Sequence, residues 1–230
     1  MVPNPPRGFI IWLHGMGGSG PANEYVKTLF ESSELKESKW AFPSAPRRPI
    51  SFKGVNRFFH GYQGGIPAWF DIYAIPMTAD SPRDEKGLLE TVETIHALID
   101  NEVAAGTDPE NIFVCGFSQG AATAFATVLL YPKTLGGGAV FAGWVPFSSP
   151  SIINRITPEA KKTPILWFHG EADRMAVFGA GQAAPPFLEK IGMTCEFKAY
   201  PNVGHTITRE QYQYLESWIQ KRLQSSSSSS

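Results

Sequence analysis

Short, continuously apolar runs alternate with helical segments along most of this chain. Examples are "FIIWL" at residues 9–13, "IFVC" at 112–115 and "ILWF" at 165–168. A strand made only of apolar residues is buried on both faces, which is typical of a parallel sheet covered by helices. We therefore expect an α/β chain: one domain over residues 1–223, with a mostly parallel central sheet and helices on both faces. The tail at residues 224–230, which ends in a run of six serines, is predicted to be disordered.

Capping signals predict where two of the helices begin. Ser81 can cap a helix whose first position is Pro82, and Asp84 completes a capping box. Apolar residues then recur at helical spacing through residue 103. A second capping box, Thr208 with Gln211, predicts the start of the last helix.

Composition argues against several classes of partner. With 18% charged residues and a formal net charge of -1, the chain lacks the basic surface needed to bind a nucleic acid, and membrane contact would be at most transient. The sequence has neither a signal-peptide core nor a run long enough to span a bilayer, so we expect a cytoplasmic protein. Cys115 and Cys195 lie in apolar runs and are expected to be buried thiols.

The stretch "FVCGFSQGAATAF" places Ser118 between Gly116 and Gly120, where an apolar strand runs into a helix of small residues. Serine is a poor strand former and glycine weakens both elements, so local stability does not explain the arrangement. A sharp strand-to-helix turn that exposes one hydroxyl does explain it, because G-x-S-x-G in this context is a nucleophile elbow.

Polar residues that could complete the chemistry follow two later strands. Asp173 comes after "ILWFHG" and His205 after "FKAYPNVG", and ligands of such sheets lie at the carboxyl ends of the strands. Ser118, Asp173 and His205 follow the order nucleophile, acid, base, which is the order of an α/β-hydrolase triad. Glu171 is the alternative acid. The sequence therefore predicts an α/β-hydrolase fold and a serine nucleophile activated by an imidazole.

A tetrahedral oxyanion needs two N–H donors that are already in place. We expect one from the backbone of Gln119, at the start of the helix that follows Ser118, and the other from Met16 in the glycine loop "HGMGGSG".

The other histidines are expected to have structural roles. His14 and His169 each precede a glycine at a strand end and are expected to brace loops by hydrogen bonds. His96 is expected at the rim of a helix, and His60 lies in an aromatic loop. No pair of histidines has the spacing of metal ligands, so no metal is expected. We expect no other cofactor either.

A long loop, residues 51–67, carries glycines on both sides of the aromatic residues Phe58, Phe59 and Tyr62. Glycines that flank a compact aromatic group suit a lid over an acyl-binding channel. The alternative is a static flap whose aromatic side chains complete the core.

The sequence resembles the acyl-protein thioesterases and the related small carboxylesterases over nearly its whole length. The resemblance is carried by "WLHGMGGSG", "FPSAPRRPI", "AWFDI", "NIFVCGFSQGAA", "GWVPF", "ILWFHGEAD" and "GHTIT". It implies Ser118, Asp173 and His205 as the triad, with Met16 and Gln119 as oxyanion donors. It also implies a narrow acyl channel near Trp144, Trp69 and the loop that precedes "AWFDI". One departure is Arg174, which stands where the family usually has a proline beside the acid.

The resemblance implies a serine hydrolase that cleaves acyl thioesters, such as S-palmitoyl groups on proteins, and related esters through an acyl-enzyme. Its substrates would be S-acylated proteins or small acyl esters, and the protein would be a monomer or a weak homodimer. A general short-chain carboxylesterase or lysophospholipase is the alternative within enzymes, and a non-catalytic acyl-binding fold is the alternative outside them.

Overall fold

The structure is a computed structural model that describes residues 8–54 and 65–227, with side chains through residue 223. Its centre is a six-stranded sheet in which every neighbouring pair of strands is parallel. The strands of this sheet are β1 (Phe9–Leu13), β2 (Lys39–Ala41), β5 (Ile112–Phe117), β6 (Gly137–Phe141), β7 (Ile165–Gly170) and β8 (Cys195–Tyr200), in the order β2-β1-β5-β6-β7-β8. A small antiparallel ribbon pairs β3 (Arg47–Arg48) with β4 (Ile66–Pro67). The predicted α/β-hydrolase fold with a mostly parallel sheet is confirmed.

Helices connect these strands. The described α-helices are α1 (Gly20–Asn23), α2 (Ser33–Glu37), α3 (Glu85–Ala104), α4 (Gln119–Leu130), α5 (Pro150–Ile153), α6 (Phe178–Gln182), α7 (Ala184–Lys190) and α8 (Arg209–Ser227). Short 3₁₀ turns cover Glu24–Leu29, Pro109–Asn111 and Ala160–Lys162. Among the described residues, no helix is both long and apolar enough to cross a membrane.

Both faces of the sheet are buried, each by its own apolar core. Along β1, Phe9 and Ile11 belong to one core, whereas Ile10 and Trp12 belong to the other. The first core is completed by α3 and α4 and the second by α8. Successive side chains of a strand point to opposite faces, and in the inner strands β1, β5, β6 and β7 both faces are covered. This explains why these strands are almost continuously apolar in the sequence.

The N-cap of the long helix α3 lies three residues later than predicted. Asp84, not Ser81, is the N-cap: its Oδ1 accepts from the N–H of Gly87 at 2.9 Å. Ser81 closes the preceding turn instead, where its Oγ accepts from the N–H of Thr78 at 2.9 Å. A carboxylate at the last non-helical position reaches the free N–H groups of the first turn, and Ser81 is too far upstream to do so.

The last helix begins as predicted. The Thr208 N–H donates to Gln211 Oε1 at 2.9 Å, and the Gln211 N–H donates to Thr208 Oγ1 at 3.3 Å. The helix continues to Ser227, although we predicted a disordered tail from residue 224. An added residue needs only one hydrogen bond to a turn already formed, so a packed helix propagates past its last apolar contact. Residues 228–230 lie outside the described chain.

Both cysteines are free thiols, and Cys115 is buried as expected, whereas Cys195 is only half-buried. Burial raises the pKa of Cys115 to about 12 and that of Cys195 to about 11. Strands β6 and β7 separate the two residues, so their Cα atoms are beyond disulfide reach.

Candidate active site

The turn between β5 and α4 holds Ser118 in a strained backbone conformation, with φ 55° and ψ -119°. A non-glycine residue rarely adopts a positive φ, and such strain is found mainly at functional sites. The N–H of Ser118 donates to Phe141 O at 2.8 Å, which ties the turn to the neighbouring strand. The structure therefore has the sharp strand-to-helix turn that the motif predicts.

The glycines on either side of Ser118 are required by close backbone contacts. A Cβ on Gly116 would collide with the carbonyl oxygen of Gly120, and a Cβ on Gly120 would collide with the carbonyl oxygen of Leu13. Helix α4 consequently begins directly against β1 and β5. Ser118 lies in the turn at the carboxyl end of β5, between this strand and the helix.

Ser118, His205 and Asp173 form one hydrogen-bonded chain. His205 Nε2 lies 2.9 Å from Ser118 Oγ, and His205 Nδ1 lies 2.7 Å from Asp173 Oδ2. The ring of Phe117 packs on His205 with centroids 4.8 Å apart. With Nδ1–H donated to the carboxylate, Nε2 is free to accept the proton of the serine hydroxyl.

Asp173 is held as an ionised acceptor. Its Oδ1 accepts from the N–H groups of Met175 at 2.8 Å and Ala176 at 3.0 Å. Burial on its own raises the pKa of Asp173, but the hydrogen bond and charge of His205 and these two N–H groups outweigh it. The pKa therefore lies below its usual value. Glu171, the alternative acid, is exposed.

The predicted braces, His14 and His169, have the expected role. His14 Nε2 accepts from the Ala45 N–H at 3.0 Å, so Nδ1 carries the proton and donates to Gly15 O at 2.7 Å. His169 Nε2 donates to Ala176 O at 2.8 Å and so supports the loop that holds Asp173. Burial lowers the pKa of both imidazoles, which favours their neutral forms.

The other two histidines lie away from the triad or outside the described residues. His96 Nε2 bonds the Thr127 carbonyl oxygen at 2.9 Å, and its ring packs against Tyr131. His60 lies outside the described residues. Among the residues that the structure describes, no three His, Cys, Asp or Glu side chains come together as a metal-binding group.

The backbone N–H groups of Met16 and Gln119 have no hydrogen-bond acceptor among the described residues. Gln119 is the first residue of α4, where an N–H has no partner within the helix. The loop that carries Met16 is fixed from both sides, because Gly17 N–H donates to Pro67 O at 2.8 Å and Gly18 N–H donates to Gly15 O at 3.0 Å. These two positions can stabilise a negatively charged oxygen beside Ser118.

A small apolar cavity of about 150 Å³ opens onto Ser118 and His205. Trp144, predicted at the acyl channel, is part of its wall. The sequence did not predict four other apolar residues of the wall: Ile72, Ile75, Met77 and Met175. The signal for them was weak, because "DIYAIPM" has no helical or strand periodicity. Met77 is held in place by main-chain bonds, since its N–H donates to Met175 O at 2.7 Å.

Trp69 does not line this cavity. The side chain is buried, and its Nε1 donates to His14 O at 2.7 Å while the ring packs on His14 with centroids 5.0 Å apart. Trp69 therefore supports the loop that carries Met16. The other predicted acyl-channel residues, Phe58, Phe59 and Tyr62, lie outside the described residues, and the lid stays a prediction.

Comparison with known proteins identifies the family of this chain. The sequence profile of the Phospholipase/Carboxylesterase family matches residues 3–223. This chain belongs to that family. The probable carboxylesterase SOBER1-like of Arabidopsis thaliana is 59% identical over 224 residues, which cover 97% of this chain and 82% of that protein. The crystal structure of Arabidopsis thaliana SOBER1 is 56% identical, with a TM-score of 0.88 over 94% of this chain and 99% of the other.

The thioesterase branch is more distant. Acyl-protein thioesterase 1 of Cryptococcus neoformans is 31% identical over 228 residues, covering 93% of this chain and 92% of that protein. As a phospholipase/carboxylesterase family member, the chain is a serine hydrolase of the carboxylesterase and acyl-protein thioesterase group. The predictions of the family and of enzymatic function are confirmed.

Proposed function

We propose that this enzyme hydrolyses carboxylic esters with a small acyl group through an acyl-enzyme on Ser118. The observation that carries the proposal is the cavity of about 150 Å³ beside Ser118. An apolar cavity of roughly this volume takes a molecule the size of benzene. It therefore suits an acyl group of about six heavy atoms or fewer, and a sixteen-carbon palmitoyl chain would need well over twice that space.

In the first half of the proposed reaction, Ser118 Oγ attacks the carbonyl carbon of the ester while its proton passes to His205 Nε2. Asp173 keeps the imidazole in the required tautomer and stabilises the imidazolium that forms. The N–H groups of Gln119 and Met16 stabilise the oxyanion. The bond to the leaving oxygen then breaks, and the imidazolium returns its proton to the departing alcohol.

In the second half, a water molecule gives a proton to His205 and attacks the acyl-enzyme. Collapse of the second tetrahedral intermediate releases the carboxylic acid and restores the Ser118 hydroxyl. The same residues would act on a thioester, with a thiol as the leaving group. Cleavage of longer acyl thioesters is the second candidate function, because the 31% identical relative is named acyl-protein thioesterase 1.

A series of substrates with one leaving group and acetyl, butyryl, octanoyl or palmitoyl chains separates the two candidates. We expect kcat/KM to be highest for acetyl or butyryl and to fall at least about tenfold at octanoyl. That fall corresponds to about 1.4 kcal/mol of lost transition-state stabilisation. A preference for palmitoyl thioester would overturn the short-chain proposal and favour the second candidate.

A variant of the cavity wall makes the test specific. Met175 is half-buried and lines the cavity, so Met175→Ala should enlarge the cavity and raise the octanoyl/acetyl ratio of kcat/KM. Met193→Ala is the matched control, since Met193 is buried but does not line the cavity. If both variants change the ratio equally, the cavity does not determine acyl-chain length.

A further inference from the structure

A second and larger groove, of about 610 Å³, lies against the other face of the sheet. It shares only His205 and Phe117 with the cavity of about 150 Å³ beside Ser118, which we call the acyl cavity. The rest of its wall comes from Trp12 and Tyr212 in the core under α8, from the end of α1 and the turns that follow it, and from Thr206, Ile207 and Arg209 at the approach to α8. Its volume lies in the range of small-molecule sites.

Four aromatic side chains line the groove, together with aliphatic and polar ones. Trp12 and Tyr212, both almost wholly buried, are part of its wall with ring centroids 5.9 Å apart, and Phe117, whose ring packs on His205, is also part of it. The large apolar side chains that stay exposed among the described residues are Tyr25, Leu29 and Tyr73, and the first two line this groove. Tyr25 is 57% exposed. Exposed apolar side chains gathered at one concave site mark a binding surface.

The groove carries balanced charge at its rim. Apart from His205, its charged lining residues are Glu31 and Arg209, which face each other at 3.5 Å and are mostly exposed. Because the two charges offset each other, the groove favours an uncharged occupant.

The position of the groove relative to the triad indicates which half of an ester would occupy it. An ester has an acyl half, which the cavity on the Ser118 side receives, and an alcohol half, which must leave past the imidazole that protonates it. The groove touches His205 but not Ser118. We infer that it is the leaving-group subsite and that it takes uncharged alcohols with an aromatic ring on a short alkyl chain. This inference rests on the proposed ester hydrolysis.

In the step concerned, the bond between the carbonyl carbon and the alcohol oxygen breaks. The imidazolium proton of His205 passes to that oxygen, and the neutral alcohol departs along the groove. Contacts made by the leaving group act only on formation of the acyl-enzyme. They raise kcat/KM for esters that carry the aromatic ring, whereas hydrolysis of the common acyl-enzyme is unchanged.

Phenethyl acetate and ethyl acetate test the inference, because they share the acyl group and carry alcohols of similar acidity. Tyr25→Ala should lower the phenethyl/ethyl ratio of kcat/KM roughly tenfold, the loss expected for one aromatic contact. Leu29→Ala should lower the ratio in the same direction. Tyr73→Ala, which removes an exposed tyrosine outside the groove, is the matched control and should leave the ratio unchanged.

A ratio that is unchanged in both groove variants, or that falls equally in Tyr73→Ala, would overturn the inference. Calorimetric binding of phenethyl alcohol to Ser118→Ala gives a readout that does not depend on turnover, and Tyr25→Ala in that background should weaken binding roughly tenfold. If the wild type hydrolyses neither acetate yet the alcohol binds in this way, the proposed function fails while the groove stands as an aryl-alcohol site. If both acetates are hydrolysed but the alcohol binds equally with and without Tyr25, only the leaving-group inference fails.

Discussion

The side chain of Gln119 holds the backbone of Trp69, because Gln119 Oε1 accepts from the Trp69 N–H at 3.0 Å. The same amide donates through Nε2 to the carbonyl oxygen of Phe70 at 2.7 Å, and it is fully buried. The residue directly after Ser118 thus anchors the segment that leads to Ile72 in the acyl cavity. The backbone N–H of Gln119 has no acceptor among the described residues, which leaves it available for the oxyanion in the proposed mechanism.

We predict that Gln119→Met lowers the free energy of unfolding by about 2–4 kcal/mol. The substitution keeps the shape of the side chain but leaves the Trp69 N–H and the Phe70 carbonyl buried without partners, each at a cost of about 1–3 kcal/mol. Urea denaturation measures the change. Gln213→Met, at an exposed position of α8, is the control. A loss no larger than that of the control would mean that these hydrogen bonds do not stabilise the segment.

Backbone strain at Ser118 gives a second prediction. Ser118→Ala and Ser118→Gly both remove the hydroxyl, but only glycine adopts a φ of 55° without strain. We expect the glycine variant to be more stable than the alanine variant by about 1 kcal/mol. In a chain of this length, that difference raises Tm by about 2–4 °C. Equal melting temperatures would show that the turn stores no strain.

The acid of the triad can be tested by a pair of substitutions. Asp173→Asn should lower kcat by about 10⁴, because asparagine favours the wrong tautomer of His205. Glu171→Gln should leave kcat close to the wild-type value, since Glu171 is exposed and His205 Nδ1 already bonds Asp173. Steady-state kinetics on one short-chain ester suffice. If Asp173→Asn kept the wild-type kcat while Glu171→Gln lost it, the acid would be Glu171.

Stability should fall on mild acidification because of buried histidines. Burial lowers the pKa of His96, and this effect outweighs the opposing hydrogen bond to Thr127 O. As the pH falls below about 6.5, the unfolded chain binds a proton that the folded chain resists. The contribution of neutral His96 is therefore complete above that pH and is lost below it.

We predict that His96→Gln makes the decline in stability between pH 7 and pH 5 shallower, by at most about 1.4 kcal/mol per pH unit. Chemical denaturation at several pH values measures the slope. An unchanged slope would show that His96 takes up its proton equally in the folded and the unfolded chain.

Features encoded locally could be predicted from the sequence. The strand-turn-helix around Ser118 follows from one motif, and the pairing of Asp173 with His205 follows from their places at strand ends. The predicted cap of α3 was wrong by three residues. Ser81 and Asp84 both have side chains that can cap a helix, and only the path of the chain decides between them. The cavity wall at Ile72, Ile75 and Met77 could not be foreseen, since its side chains converge only through long-range contacts. Trp69 was expected at the acyl channel from the family resemblance, but its buried side chain supports the loop that carries Met16.

The central claim is that Ser118 forms the covalent intermediate. Treatment with a fluorophosphonate followed by peptide mapping tests it most directly, because the reagent labels a serine activated by a neighbouring base. We predict a single label on Ser118, no label on the Ser118→Ala variant, and turnover by that variant reduced to near background. A label on another residue, or a Ser118→Ala enzyme that keeps a tenth of the wild-type rate, would contradict the account.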